Sequence, residues 1–191
     1  MSRQLLTRRD VTWGLLALPF IPRRVEAAVN PIAAMTLLSL GGRKIDPSLV
    51  NGRVLLFVNV ASYCGYTPQY ADLQKLHDGY ANRGLTVIGV PCNQFGNQEP
   101  GDAASIEAFC STRFGVTFPM LEKQDVNGAK RSPLYAYLVE NGPEAGTDVR
   151  WNFEKFLVDR TGKVTGRFPS HVSPMDPRMT AAIELALAAS T

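Results

Sequence analysis

The stretch that decides the architecture is VLLFVNVASYCGYTPQYADLQKLHDGYANRGLTVIGV, residues 54–90. Its first seven residues are an almost unbroken apolar run of strand length, which suits a strand buried on both faces. The last six, LTVIGV (85–90), repeat that pattern. Between them Thr67 offers a helix N-cap and Pro68 a first helical residue, and Tyr70, Leu73, Leu76 and Tyr80 recur at helical spacing. Gly84 supplies the stop. Strand, crossover helix and strand make a βαβ unit, so the two strands are predicted to run parallel.

Outward from this unit, residues 35–40 and 43–46 around Gly41-Gly42 predict a small N-terminal β-hairpin. Asp102 is placed to cap a helix that carries Ile106, Phe109 and Cys110 on one face. Residues 133–138 predict a short helix. Residues 155–159 and 163–168, joined by Arg160-Thr161-Gly162, predict a second hairpin. A last helix opens at Asp176-Pro177 and turns Met179, Ile183 and Leu187 inward. The sum is an α/β domain over 35–191, a mixed central β-sheet flanked by helices.

With 191 residues, of which 45% are hydrophobic, the chain has the composition of one ordinary globular domain. The net charge of +3 belongs to the N-terminus. Residues 1–27 hold five basic and two acidic side chains, leaving 15 of each in the remainder. A neutral body without a basic stripe gives no footprint for nucleic acid. TRRDV (7–11), a short apolar run from Trp13 to Ile21, and VEA (25–27) together resemble a twin-arginine export signal ending near Ala27. The apolar run is far below the roughly 20 residues of a spanning helix, so no stable membrane insertion is expected. Residues 1–27 are thus read as an export signal, implying a periplasmic location, and 28–34 as a linker.

The three cysteines, Cys64, Cys92 and Cys110, form no C-x-x-C and no cluster with His77 or His171. An odd number in an exported chain points to reactive chemistry more than to a disulfide scaffold. No metal, flavin, nicotinamide or haem site is indicated, and no phosphate-binding glycine loop occurs. Cys64 follows a buried strand and precedes a helix N-terminus, the layout of a thioredoxin-like active site with Thr67 where a dithiol enzyme has its second cysteine. Unpaired N–H groups and the helix dipole there stabilise a thiolate, the nucleophilic form of cysteine. Read alone, such a cysteine is also compatible with an inert core residue.

Three segments narrow the reading. NVASYCGYT (59–67), PCNQFGNQEPG (91–101) and WNFEKFLVD (151–159) resemble, in order, the three motifs of the glutathione peroxidase family. The resemblance covers the chain from about Ala33 onward. It implies a thioredoxin-like fold and a thiol peroxidase that reduces hydrogen peroxide and organic hydroperoxides through a Cys64 sulfenic acid. By motif position it implies a site of Cys64, Gln98, Trp151 and Asn152. Both amides and the indole N–H can donate hydrogen bonds to a thiolate and to a developing oxyanion.

The resemblance also bears on recycling. Cys110, in FCSTRF (109–114), stands where thioredoxin-dependent members carry a resolving cysteine, which implies a thioredoxin-like reductant; direct reduction by glutathione is the alternative. A disulfide needs Cα atoms within about 7 Å, so a Cys110 packed on its helix implies local opening. Cys92 is read as structural. The short connection between Tyr137 and Trp151 lacks the insertion of tetrameric members, which implies a monomer. A thiol–disulfide oxidoreductase and a copper carrier are competing readings weakened by the missing cysteine or histidine partners; a non-enzymatic redox sensor, in which Cys64 oxidises with negligible turnover, is a third.

Overall fold

In the computed structural model, residues 30–189 are described; residues 1–27, read above as an export signal, residues 28 and 29 of the expected linker and the last two residues lie outside them. Val54–Val60 forms strand β1, buried at every position. Leu85–Pro91 forms β2, equally buried. The two pair in parallel, from Val54 opposite Leu85 to Val60 opposite Pro91, as the βαβ reading requires. The crossover helix α1 spans Gln69–Tyr80 and gives way to a short 3-10 turn before Gly84, whose φ of 104° ends it. Lys155–Val158 (β3) pairs antiparallel with β1, and Val164–Phe168 (β4) pairs antiparallel with β3. The order β2-β1-β3-β4 is a mixed sheet with β1 near its centre.

The sheet divides two apolar layers. On one face Leu55, Phe57, Ile88 and Val90 pack against Leu134, Tyr135 and Leu138 of helix α3, Pro133–Glu140. On the other, Leu56, Val58 and Val60 meet Tyr70 and Leu73 of α1, Ile106 and Cys110 of α2 (Ala103–Phe114), and Met179 and Ile183 of α4 (Pro177–Ala188). Asp102 caps α2 by accepting from Ser105 N–H, and Asp176 caps α4.

The N-terminal hairpin is reduced to one bridge, Leu38 opposite Lys44, around Gly42 at φ 73°. It joins the main sheet indirectly. Ser39 bridges Leu121, and Met120 bridges Gly89 on the outer edge of β2. A Cβ on Gly89 would run into Met120 Sδ, so any larger residue there would force that side chain to move. Packing already includes Ile32, fully buried within the 28–34 segment. No helix of the described residues is long and apolar enough to cross a membrane.

Candidate active site

Cys64 lies in the turn between β1 and α1, 7% exposed. The local chain tightens before the helix begins. Thr67 N–H donates to Cys64 O at 3.0 Å and Gln69 N–H to Tyr66 O at 2.9 Å, both three-residue spacings. Thr67 does not cap α1; the N-cap position falls on Pro68, without a side-chain bond. Its hydroxyl turns back, accepting from Cys64 N–H at 3.0 Å and donating to Ala61 O at 2.9 Å. The position where a dithiol enzyme holds a second sulfur thus serves to pin the first. Tyr66 N–H points at Cys64 Sγ from 3.4 Å, a backbone donor at the head of a helix.

The second motif reaches this turn through its main chain. Tyr63 N–H donates to Gln98 O at 3.0 Å. Gln98 follows Gly96 and Asn97, both left-handed, at φ 65° and 53°. Its Oε1 accepts from Asn152 Nδ2 at 3.0 Å, joining the second motif to the third. Asn152 is fully buried and its Oδ1 has no hydrogen-bond partner. Trp151 is 40% exposed, its ring 5.7 Å from that of Phe95.

The 151–154 loop is held by a residue to which sequence reading gave no role. Asn59, the one polar side chain in β1, is fully buried. Its Nδ2 donates to Trp151 O at 2.9 Å and its Oδ1 accepts from Glu154 N–H at 3.1 Å, while its carbonyl accepts from Phe153 N–H. Phe153 is left-handed at φ 63°, strained for a bulky side chain. Glu154 in turn receives Arg167 Nε at 2.6 Å and Arg150 N–H at 2.8 Å. The available signal was an asparagine inside an otherwise apolar strand.

Gln98 and Asn152, which Trp151 precedes in the chain, are thus joined to each other, and Gln98 is fastened to the Cys64 turn by main chain. Among the described residues none of their side chains hydrogen-bonds to Cys64 Sγ, whose donor is Tyr66 N–H. Cys110 shares an apolar layer with Cys64, but all three cysteines are free thiols. It is 2% exposed, and burial pushes its thiol up to about 11, opposed by the Tyr70 hydroxyl beside it. Cys92 sits on the opposite face of the sheet, its thiol also raised by burial. His77 is half-buried against Phe118, where the sequence reading had it solvated, and burial lowers its basicity.

Residues 32–139 match the model of the glutathione peroxidase family. The hydroperoxy fatty acid reductase Gpx2 of Synechocystis is 51% identical over 152 residues, 80% of this chain and 96% of that one. The chain belongs to the glutathione peroxidase family. As a member it is a thiol peroxidase that reduces hydroperoxides. The thioredoxin/glutathione peroxidase BtuE of Escherichia coli is 46% identical, over 72% of this chain and 86% of its own. Among solved structures, that of Trgpx in apo form superposes with a TM-score of 0.65 at 35% identity, covering 81% of this chain and 94% of that one. A thioredoxin-family thiol:disulfide interchange protein from Chlorobium tepidum, 15% identical, superposes at 0.58 over 79% of this peroxidase and 91% of its own chain, a likeness of fold alone. The glutathione peroxidase fold is accordingly thioredoxin-like.

Proposed function

We propose that Cys64 is the peroxidatic thiol and that Gln98, Trp151 and Asn152 handle the oxygen it does not attack. The observation that carries this is the Gln98–Asn152 hydrogen bond, tied through Gln98 O and Tyr63 N–H to the Cys64 turn. With Oε1 committed to Asn152, the Gln98 amide keeps its N–H groups for substrate. The unpartnered Asn152 Oδ1 is an acceptor for a hydroperoxide O–H. Attack breaks the O–O bond, leaves a sulfenic acid on Cys64 and releases water or an alcohol.

The rim of the site favours substrates with an apolar tail. Tyr63 is 67% exposed beside the nucleophile and packs on Phe109, and Trp151 packs on Phe95. The Synechocystis relative, by its name, reduces hydroperoxy fatty acids, in keeping with that surface.

Cys110 is proposed to resolve the sulfenic acid as a Cys64–Cys110 disulfide, which a thioredoxin-like protein then reduces. Its burial in α2 means that the helix must open locally first. Mixing the reduced full-length protein with one equivalent of a fatty-acid hydroperoxide, then mapping each cysteine by mass spectrometry, tests both steps. A Cys64–Cys110 disulfide formed within a turnover is expected. An unreactive Cys64 overturns the first assignment; a sulfenic acid that persists until glutathione is added overturns the second.

The chain is proposed to act as a periplasmic monomer, on the strength of Arg8-Arg9, the apolar run after them and the short segment between Tyr137 and Trp151. Replacing Arg8 and Arg9 by lysine should retain the protein in the cytoplasm of an exporting host. Sedimentation of the mature protein as a dimer or larger would refute the monomer.

A further inference from the structure

Asn127 lies outside every motif singled out in the sequence, yet its side chain holds the residue two places before Trp151. Its Nδ2 donates to Val149 O at 2.7 Å, and its Oδ1 accepts from Val149 N–H at 2.9 Å. In an antiparallel ladder a residue exchanges the same two bonds with a neighbouring main chain. Here one amide side chain supplies both. Two bonds to one residue fix its place and its tilt, where a single bond fixes only a distance. Val149 is buried, and residues 147–154 around it belong to no helix or strand, so its geometry is set by such side-chain ties.

Asn127 is itself seated from the second motif. Gln94 Oε1 accepts from Val126 N–H at 2.7 Å and from Asn127 N–H at 2.9 Å, and Gln94 Nε2 donates to Asn127 O at 3.0 Å. Arg131 adds a tie, its Nε donating to Val126 O at 2.9 Å while its guanidinium pairs with Asp148. The turn that carries Asn127 closes on itself through Ser132 N–H to Asp125 O at 2.8 Å. The loop after β2 therefore addresses the third motif and its approach at three points. It reaches Val149 through Gln94 and Asn127, Trp151 through Phe95, and Asn152 through Gln98.

We infer that Asn127, seated by Gln94, is a positioning residue for peroxide attack: by fixing Val149 it sets where Trp151 and Asn152 stand relative to Cys64. This rests on the reading of Trp151 and Asn152 as groups that meet the hydroperoxide. Among the described residues no hydrogen bond joins the Asn127 side chain to Cys64, Trp151 or Asn152, so it acts through the chain from 149 to 152. Asn59 holds Trp151 O and Glu154 N–H from the other side. Releasing Val149 therefore frees one end of the segment and leaves the other tied. A misplacement of about 1 Å in a group that meets the reacting atoms costs about 100-fold in rate.

The test compares two rates at Cys64 in the full-length protein: oxidation to the sulfenic acid by hydrogen peroxide in a single turnover, and alkylation by iodoacetamide. Alkylation needs the thiolate but no group to meet a departing oxygen. Asn127→Ala should slow oxidation about 10- to 100-fold and leave alkylation within about twofold of wild type. Gln94→Ala should slow oxidation less, and the double variant no more than Asn127→Ala alone, because the two residues act in series. A fall in both rates together would mark a merely structural role and overturn the inference. Oxidation at the wild-type rate in Asn127→Ala, with Asn152→Ala slow, overturns it too. Should Asn127→Ala fail to fold, Gln94→Ala, altered at an exposed residue, decides in its place. Slowed oxidation with unchanged alkylation there upholds the inference, and wild-type oxidation overturns it. Wild-type oxidation in both Asn152→Ala and Trp151→Phe removes the reading of the site, and this inference with it.

Discussion

Asn152 donates one amide hydrogen to Gln98 and keeps a buried, unpartnered oxygen, which the proposed function assigns to substrate. Asn152→Ala should lower kcat/KM for hydroperoxide by about 100-fold, the usual loss for one oriented hydrogen-bonding group, and cost about 1–3 kcal/mol of stability through the lost Gln98 bond. Steady-state turnover beside a thermal melt separates the two effects. Asn59 should act mainly through the fold. Asn59→Leu orphans Trp151 O and Glu154 N–H inside the protein and should destabilise it by about 2–4 kcal/mol in urea unfolding. Cys64, Gln98, Trp151 and Asn152 could be named as candidates because each stands in a motif of fixed order. The Gln98–Asn152 bond could not, because it spans 54 positions and exists only once β1 and β3 lie side by side. Asn59 and Glu99 stood inside quoted motifs, yet their roles depend on what surrounds them, which spacing does not report.

Between β1 and α1, the conflict between two uses of one hydroxyl decides the geometry. Residues 67 and 68 carry a sequence signature for a helix start, and the helix does start there. Yet an N-cap side chain must point along its own helix, and the Thr67 hydroxyl points back to Cys64 N–H and Ala61 O. The three-residue turns of 64–69 leave Cys64 inside the first coil of the chain rather than on a free loop. Thr67→Val keeps the shape and removes the hydroxyl, leaving a buried N–H and carbonyl unpaired. It should cost about 1–3 kcal/mol in unfolding and slow peroxide attack at Cys64, while Thr67→Ser retains both properties. The strands and the parallel register were readable from β1 and β2 because apolar runs buried on both faces leave little freedom. The N-terminal hairpin was readable as a turn, but not that its first arm turns its other edge to 120–122, through Leu40 N–H to Met120 O and Glu122 N–H to Leu38 O.

Across the whole molecule, two buried ionisable groups tilt stability in opposite directions with pH. Lys155 is fully buried, its ammonium donating to Val172 O at 2.6 Å and Ser170 O at 3.2 Å, which ties β3 to the loop before α4. Burial lowers its pKa to about 7, with Glu154 opposing. The unfolded chain keeps that lysine protonated to about pH 10.4. Between the two values the unfolded state therefore binds the extra proton, and stability should rise with pH by at most about 1.4 kcal/mol per unit. Glu99 acts on the acid side. Its folded pKa is raised, so the folded state holds the proton longer, and stability falls as pH climbs from the ordinary carboxylate value through the folded one. Urea unfolding from pH 5 to 10 should accordingly show a shallow minimum near neutrality. Lys155→Met should flatten the alkaline rise and leave the acid fall in place. Glu99→Gln should do the reverse. An alkaline rise that survives in Lys155→Met would mean that the lysine is paired better than its surroundings indicate, through those two carbonyls, and that another group carries the pH dependence.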